Sequence, residues 1–133
     1  LGVNALADDS GLCVDALGGA PGIYSARFSG VHGDDAANRK KLLEELKDLK
    51  NSEERKAKFV SSVVLYKRSG EVVSGTGETH GIIGFKEEGE NGFGYDSLFI
   101  SDDLGKSFGL ATAEEKNTVS HRKRALIDLL RHL

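Results

Sequence analysis

The 133-residue sequence has one cysteine, one proline and no apolar run long enough to span a membrane. Cys13 is alone and cannot form an internal disulfide. Since disulfides are rare in a reducing cytosol, we expect a cytoplasmic protein. The formal net charge is only −3, so neither nucleic acid nor an anionic membrane is an expected partner.

Motifs of several common enzyme classes are also missing. The sequence contains no complete Walker loop, no G-x-S-x-G elbow and no dinucleotide fingerprint that opens a helix. No motif in the sequence therefore supports catalysis by a cysteine or serine nucleophile. Glycine, in contrast, is frequent: the 17 glycines cluster mainly at 18–22, 75–84, 89–94 and 105–109, which predicts several tight loops.

Hydrophobic patterning predicts strands and helices within one domain over residues 1–133. Residues 1–7 predict a short buried strand, 58–67 and 71–85 an antiparallel hairpin, and 97–100 another short strand. Residues 34–49 predict an amphipathic helix, and a capping box at Thr112 predicts a short helical turn. A last helix begins after Ser120, with its core face formed by Ala125, Leu126, Leu129, Leu130 and Leu133. We expect an α/β fold with a mixed sheet flanked by helices.

The most informative motif places two adjacent carboxylates, Asp8 and Asp9, after the first strand-like segment. Two neighbouring acids are costly to ionise together unless a cation compensates them, and Mg²⁺ binds carboxylates together with substrate phosphates. The run Asp-Asp-Ser-Gly is equally typical of a turn, because Asp and Ser bond their own backbone and glycine accepts a positive φ. The residues leave both interpretations open.

Two further segments contain candidate ligand-binding residues. Residues 91–96, Asn-Gly-Phe-Gly-Tyr-Asp, combine aromatic rings that can stack on a base with a carboxylate that can accept from ring N–H groups. Residues 116–122 place Lys116, His121 and Arg122 around a predicted helix start, where anions and polar groups bind favourably. The alternatives are core aromatics in a glycine-rich turn, and an ordinary Ser120 cap beside solvated cations.

Together, four ordered segments resemble the inosine triphosphate pyrophosphatases. They are Ala-Asp-Asp-Ser-Gly-Leu (7–12), Gly-Gly-Ala-Pro-Gly-Ile-Tyr-Ser-Ala-Arg-Phe (18–28), Gly-Phe-Gly-Tyr-Asp-Ser-Leu-Phe (92–99) and Glu-Glu-Lys-Asn-Thr-Val-Ser-His-Arg (114–122). The resemblance implies an elongated two-lobed α/β fold with a central cleft, generally homodimeric. It also implies Mg²⁺-dependent hydrolysis of non-standard purine nucleoside triphosphates such as ITP, dITP and XTP to the monophosphate and pyrophosphate.

The resemblance also implies residue roles. Asp9 would be the catalytic acid that binds the metal and activates water, with Asp8 beside it as a second metal ligand. Phe93 would stack on the base, Asp96 would bond the purine, and Arg122 would suit its 6-oxo group. The full set of implied substrate contacts is Ser10, Phe93, Gly94, Tyr95, Asp96, Lys116, His121 and Arg122.

Two departures from the family pattern affect these expectations. Ser97 stands where the family usually has proline, which we expect to loosen the base loop. The sequence begins at Leu1, inside a strand-like segment, without the family's phosphate-binding Ser/Thr-x-Asn-x-x-Lys loop or its additional metal-binding glutamate. We therefore expect a domain truncated at its N-terminus that is weakly active or inactive alone. The alternatives are another metal-dependent nucleotide phosphohydrolase, or a nucleotide-binding or inactive fragment.

Overall fold

The computed structural model describes residues 5–22, 24–30 and 32–133, and its frame is one sheet. The described strands pair in the order β2-β1-β3-β4-β5, each pair antiparallel. Their bounds are β1 (Ala5–Val14), β2 (Pro21–Gly22), β3 (Lys56–Tyr66), β4 (Val72–Ile83) and β5 (Phe99–Ser101). The helices are α1 (Asp35–Glu45), α2 (Ala113–Thr118) and α3 (His121–Arg131). The expected combination of a sheet and flanking helices is confirmed.

Strand β1 differs from its prediction. It runs through the acidic pair instead of ending there, so the turn interpretation of Asp-Asp-Ser-Gly is wrong. Residues 1–4 of the predicted strand lie outside the described residues, and the part from Ala5 to Asp9 is exposed, not buried. The strand continues because β3 offers partners along its whole length, from Ala5 opposite Tyr66 to Val14 opposite Ala57. A long ladder outweighs the local turn preference of these residues.

The other predicted elements are present with shifted ends. The strand predicted at 97–100 occupies Phe99–Ser101, because the amides of Leu98 and Phe99 first bond the Tyr95 carbonyl in a turn. Helix α1 ends at Glu45, four residues before the predicted end. None of the described helices is both long and apolar enough to cross a membrane.

Side-chain caps fix where each helix begins. Asp34 accepts from the Ala37 N–H at the start of α1, and Ser120 accepts from the Lys123 N–H at the start of α3. The predicted capping box of α2 is confirmed, with Thr112 and Glu115 each accepting from the other's backbone N–H. These caps matter for function because α2 and α3 begin on either side of the same cavity, which is described below.

The helices pack on one face of the sheet. Leu42 of α1 and Leu46, which caps the end of this helix, lie in a core cluster with Leu12 and Phe99. Helix α3 packs over β3 and β4 in a second cluster. The buried members of that second cluster are Val63, Val73, Ala125 and Leu129. Of the predicted core face of α3, therefore, only Ala125 and Leu129 are buried. Leu126, Leu130 and Leu133 are exposed, so that part of the prediction is wrong.

Two glycines of β4 bring α3 unusually close to the sheet. A Cβ atom at Gly75 would lie 2.3 Å from the Leu129 backbone nitrogen. One at Gly77 would lie 2.3 Å from both the His121 carbonyl oxygen and the Ala125 backbone nitrogen. Real Cβ atoms do not approach backbone atoms this closely, so any side chain would displace the helix. Glycine at these positions therefore sets the height of α3 above the sheet.

We predict that Gly77→Ala lowers the free energy of unfolding by about 1–3 kcal/mol, because the methyl group must push α3 away from β4. Urea denaturation measures this change. Ser74→Ala on the same strand is the matched control, because Ser74 is exposed and the substitution adds no volume against the helix. An unchanged midpoint for Gly77→Ala would contradict the packing described here.

Candidate functional site

A cavity of about 840 Å³ lies where β1, the loop 91–96, α2 and the start of α3 meet. Its walls combine the three regions that the sequence analysis selected separately. All eight residues expected to contact a substrate line it: Ser10, Phe93, Gly94, Tyr95, Asp96, Lys116, His121 and Arg122. The structure therefore brings together segments that are up to about a hundred residues apart in the chain.

The cavity wall is built around an ion pair between Asp96 and Lys116. The Lys116 Nζ lies 2.6 Å from Asp96 Oδ2, and the side chain of Asp96 is only 9% exposed. The same oxygen accepts from the Phe93 N–H at 3.0 Å. Among the described residues, no donor bonds Asp96 Oδ1, so this oxygen remains available to accept a ligand N–H.

Phe93 presents a ring to the cavity without being buried itself. The residue is 70% exposed, although large aromatic side chains usually contribute to a core. Lys116 Nζ lies 5.3 Å from the Phe93 ring centroid and 5.6 Å from that of Phe108. An exposed ring supported by a cation offers a flat surface on which a planar ligand can stack.

Tyr95 has a different environment from Phe93. It is 5% exposed, and its hydroxyl donates to the Ser25 carbonyl at 2.6 Å. Burial raises the pKa of the Tyr95 phenol, so the group stays neutral and keeps its proton for this bond. Tyr95 thus ties the loop to the segment that follows β2, and its hydroxyl is already engaged with the protein.

His121 stands at the first position of α3 and stacks on Phe59, with ring centroids 5.3 Å apart. Burial lowers the pKa of His121 to about 4, and the positive charge of Arg122 acts in the same direction. The imidazole is therefore neutral at pH 7. A neutral ring can offer one donor and one acceptor to a ligand. Because it carries no charge, the positive charge of the site comes from Arg122 and Lys116 alone among these three residues.

Arg122 connects α3 to β1. Its Nε lies 3.3 Å from the Ser10 hydroxyl and 3.4 Å from Asp8 Oδ2. Ser61, which is completely buried, donates to Asp8 Oδ1 at 3.0 Å, and Ser10 also donates to that oxygen at 3.3 Å. The two terminal guanidinium nitrogens of Arg122 make no hydrogen bond within the described part of the chain, so they can bind an anion or a carbonyl.

Asp9 lies on the opposite face of the sheet from Ser10, because side chains alternate along a strand and the β1–β3 register is continuous. The described residues make no hydrogen bond or ion pair to its exposed carboxylate. At residues 8–10, β1 pairs only with β3 among the described strands, since β2 pairs at Leu12 and Cys13. Asp9 therefore has a described partner strand on one side only, and neither Asp8 nor Asp9 lines the cavity.

The described residues contain no group of three or more His, Cys, Asp or Glu side chains arranged to hold a metal ion. The described side chains alone therefore do not form a complete metal cage. The free carboxylate of Asp9 still fits an ion such as Mg²⁺, which commonly takes one or two carboxylates and completes its shell with water and substrate phosphates. Asp8 is less available, because Ser10, Ser61 and Arg122 occupy its oxygens.

Sequence reasoning missed several residues of the site. Ser61 supports Asp8 and Ser10 from β3, and Thr112 lines the cavity. Asn91 and Asn117 also line it; both belong to the selected segments but received no role there. A signal for Ser61 is present, because Ser61 and Ser62 interrupt the apolar run 59–65. Only the register of β1 against β3 reveals which of the two serines faces the site.

We predict that the free energy of unfolding falls as the pH decreases from about 6.5 to about 4, with a contribution from His121. The unfolded chain binds a proton near pH 6.5, whereas folded His121 does so only near pH 4, so acid favours the unfolded state in this window. Urea unfolding at pH 7 and pH 4.5 measures the loss, which His121→Gln should reduce. An NMR titration midpoint of His121 near 6.5 would contradict the burial described here.

Comparison with known proteins supports one family. The model of the Ham1 family matches residues 1–132. A dITP/XTP pyrophosphatase from Haemophilus influenzae is 52% identical over 127 residues, which cover 94% of this chain and 65% of that protein. A dITP/XTP pyrophosphatase from Clostridium tetani is 49% identical over 121 residues, which cover 91% of this chain and 59% of that protein.

Solved structures give the same result. The Staphylococcus aureus Ham1 protein superposes with a TM-score of 0.88 at 41% identity, covering 96% of this chain and 65% of the other. A nucleoside-triphosphatase / dITP/XTP pyrophosphatase from Mycobacterium abscessus superposes with a TM-score of 0.86 at 49% identity, covering 97% and 67%. The chain thus spans about 59–65% of the length of these two curated relatives. On sequence and fold together, it belongs to the Ham1 family.

Proposed function

We propose that this chain provides the base-recognition part of a pyrophosphatase that hydrolyses non-standard purine nucleoside triphosphates, such as ITP, dITP and XTP, to the monophosphate and pyrophosphate. The observation that carries the proposal is the cavity itself, which joins the exposed Phe93 ring to the cationic start of α3. The substrate class follows from the relatives, which are dITP/XTP pyrophosphatases.

The polar groups of the cavity suit a 6-oxo purine. In this proposal the base stacks on Phe93, Asp96 Oδ1 accepts a ring N–H, and Arg122 donates to the 6-oxo group. Adenine carries a donor at position 6, which leaves the guanidinium without an acceptor. A site built to bond one polar group rejects analogues that lack it, because its own polar groups are left unpaired.

The metal and the hydrolytic water are proposed to lie near Asp9. No described residue bonds its carboxylate, and β3 is the only described strand that pairs with β1 at this position, which supports a role as a Mg²⁺ ligand and catalytic acid. Asp8 lies beside it and holds Ser10 and Arg122 toward the cavity. When bound, Mg²⁺ neutralises phosphate charge and activates water for attack.

We also propose that the protein acts in the cytoplasm as a homodimer, with the nucleotide as its small-molecule partner. The resemblance to the inosine triphosphate pyrophosphatases supports the dimer. The free Cys13 is compatible with a reducing compartment. Size-exclusion chromatography with light scattering measures the oligomeric state directly.

The proposal predicts selective pyrophosphate release. Because the chain spans only part of its relatives' length, turnover is best measured with protein in excess over ITP, XTP, GTP or ATP, where slow hydrolysis is still detected. We expect pyrophosphate from ITP and XTP, faster than from GTP or ATP, and a loss of this product without Mg²⁺. Asp9→Asn should slow the reaction by about 10²–10⁴-fold.

The products separate the possible outcomes. Orthophosphate as the first product would contradict hydrolysis to the monophosphate, and equal rates for all four nucleotides would contradict the substrate class. ITP binding without any turnover would instead favour a nucleotide-binding role for this chain.

A further inference from the structure

Helix α1 holds one residue of the cavity wall from both sides. The Gly94 N–H donates to Asp35 Oδ2 at 3.1 Å, and the Gly94 carbonyl accepts from Arg39 Nη1 at 2.9 Å. Asp35 and Arg39 are one helical turn apart, so both reach the same peptide segment. Gly94 has a φ of 59°, a left-handed conformation that few other residues adopt easily.

The same contacts extend to the other end of the loop. Arg39 Nε donates to Glu87 Oε1, and the Ser97 hydroxyl donates to that oxygen at 2.9 Å. Glu87 therefore links the residue after Asp96 to the arginine that holds Gly94. Ser97, which stands where the family usually has proline, is bonded to this network.

The loop contributes to two cavities. Gly92, Phe93 and Gly94 line the main cavity and also a second cavity of about 450 Å³. Arg39 and Glu87 line the second cavity, and Asp35 lines both. With open space on two sides, the backbone of the wall is not fixed by close packing there. The hydrogen bonds from α1 replace that packing.

We propose that Asp35 and Arg39 are positioning residues that hold the wall 92–96, and with it the Phe93 ring, in the place required for nucleotide binding. Arg39 acts from outside the main cavity, whereas Asp35 lines both cavities, so Arg39→Ala reports on positioning without loss of a lining side chain. This inference rests on the proposed function for its ligand, but its structural part concerns the Gly94 backbone alone.

The test compares substitutions in α1 by ITP affinity, measured by isothermal titration calorimetry with Mg²⁺. Asp35→Ala and Arg39→Ala should each weaken ITP binding about 10-fold or more, because small misplacements of a binding group are costly. Asp35→Asn keeps an oxygen that accepts the Gly94 N–H and should restore most of the affinity.

Two controls separate positioning from simple helix stability. Asp34→Ala removes the α1 cap, which bonds Ala37, but makes no contact with Gly94. Lys40→Ala removes an exposed cation next to Arg39. Both should leave ITP affinity within about twofold of the wild type, although Asp34→Ala lowers the melting temperature. Equal losses of affinity in Asp34→Ala and Asp35→Ala would overturn the proposal.

Hydrogen exchange of the Gly94 amide tests the structural part without a nucleotide. Asp35→Ala should accelerate this exchange at least about tenfold more than Asp34→Ala does, because it removes the acceptor of that N–H. No such difference would overturn the proposal. If the wild-type chain fails to bind ITP, the proposed function fails, and exchange at Gly94 alone then decides whether α1 holds the wall.

Discussion

The ion pair between Lys116 and Asp96 is the contact on which the candidate site depends. It joins α2 to the loop 92–96 at 2.6 Å, with the carboxylate almost fully buried. A buried carboxylate is costly unless it is paired and hydrogen-bonded, and here Lys116 and the Phe93 N–H meet both requirements. Because Lys116 also lies over the Phe93 ring, the same contact sets the charge, the shape and the aromatic surface of the cavity.

The residues at the start of α3 reach the site because this helix packs closely against the sheet. Gly75 and Gly77 let the backbone of α3 approach β4, and the capped start of that helix then places Arg122 beside Ser10 of β1 and His121 against Phe59 of β3. Arg122 is held by Asp8, while His121 is kept neutral by burial. The site therefore depends on tertiary packing as much as on its own motifs.

Much of this arrangement could be predicted from local sequence. The capping box at Thr112 and the cap at Ser120 depend on neighbouring residues and are confirmed, and the ordered motifs contain the eight expected contact residues, all of which line the cavity. The continuation of β1 through Asp8 and Asp9 could not be predicted, because distant partners in β3 decide it. The hydrogen bonds of Asp35 and Arg39 to Gly94 likewise join segments more than fifty residues apart.

The most direct test of the central idea, that this cavity distinguishes a 6-oxo purine from adenine, is the ratio of ATP to ITP dissociation constants. Calorimetry on the wild-type chain, Arg122→Ala and the neighbouring control Lys123→Ala measures it. We predict that the wild type and the control bind ITP at least about tenfold more tightly than ATP, and that Arg122→Ala loses this preference. Equal affinities in the wild type, or an unchanged preference in Arg122→Ala, would contradict it.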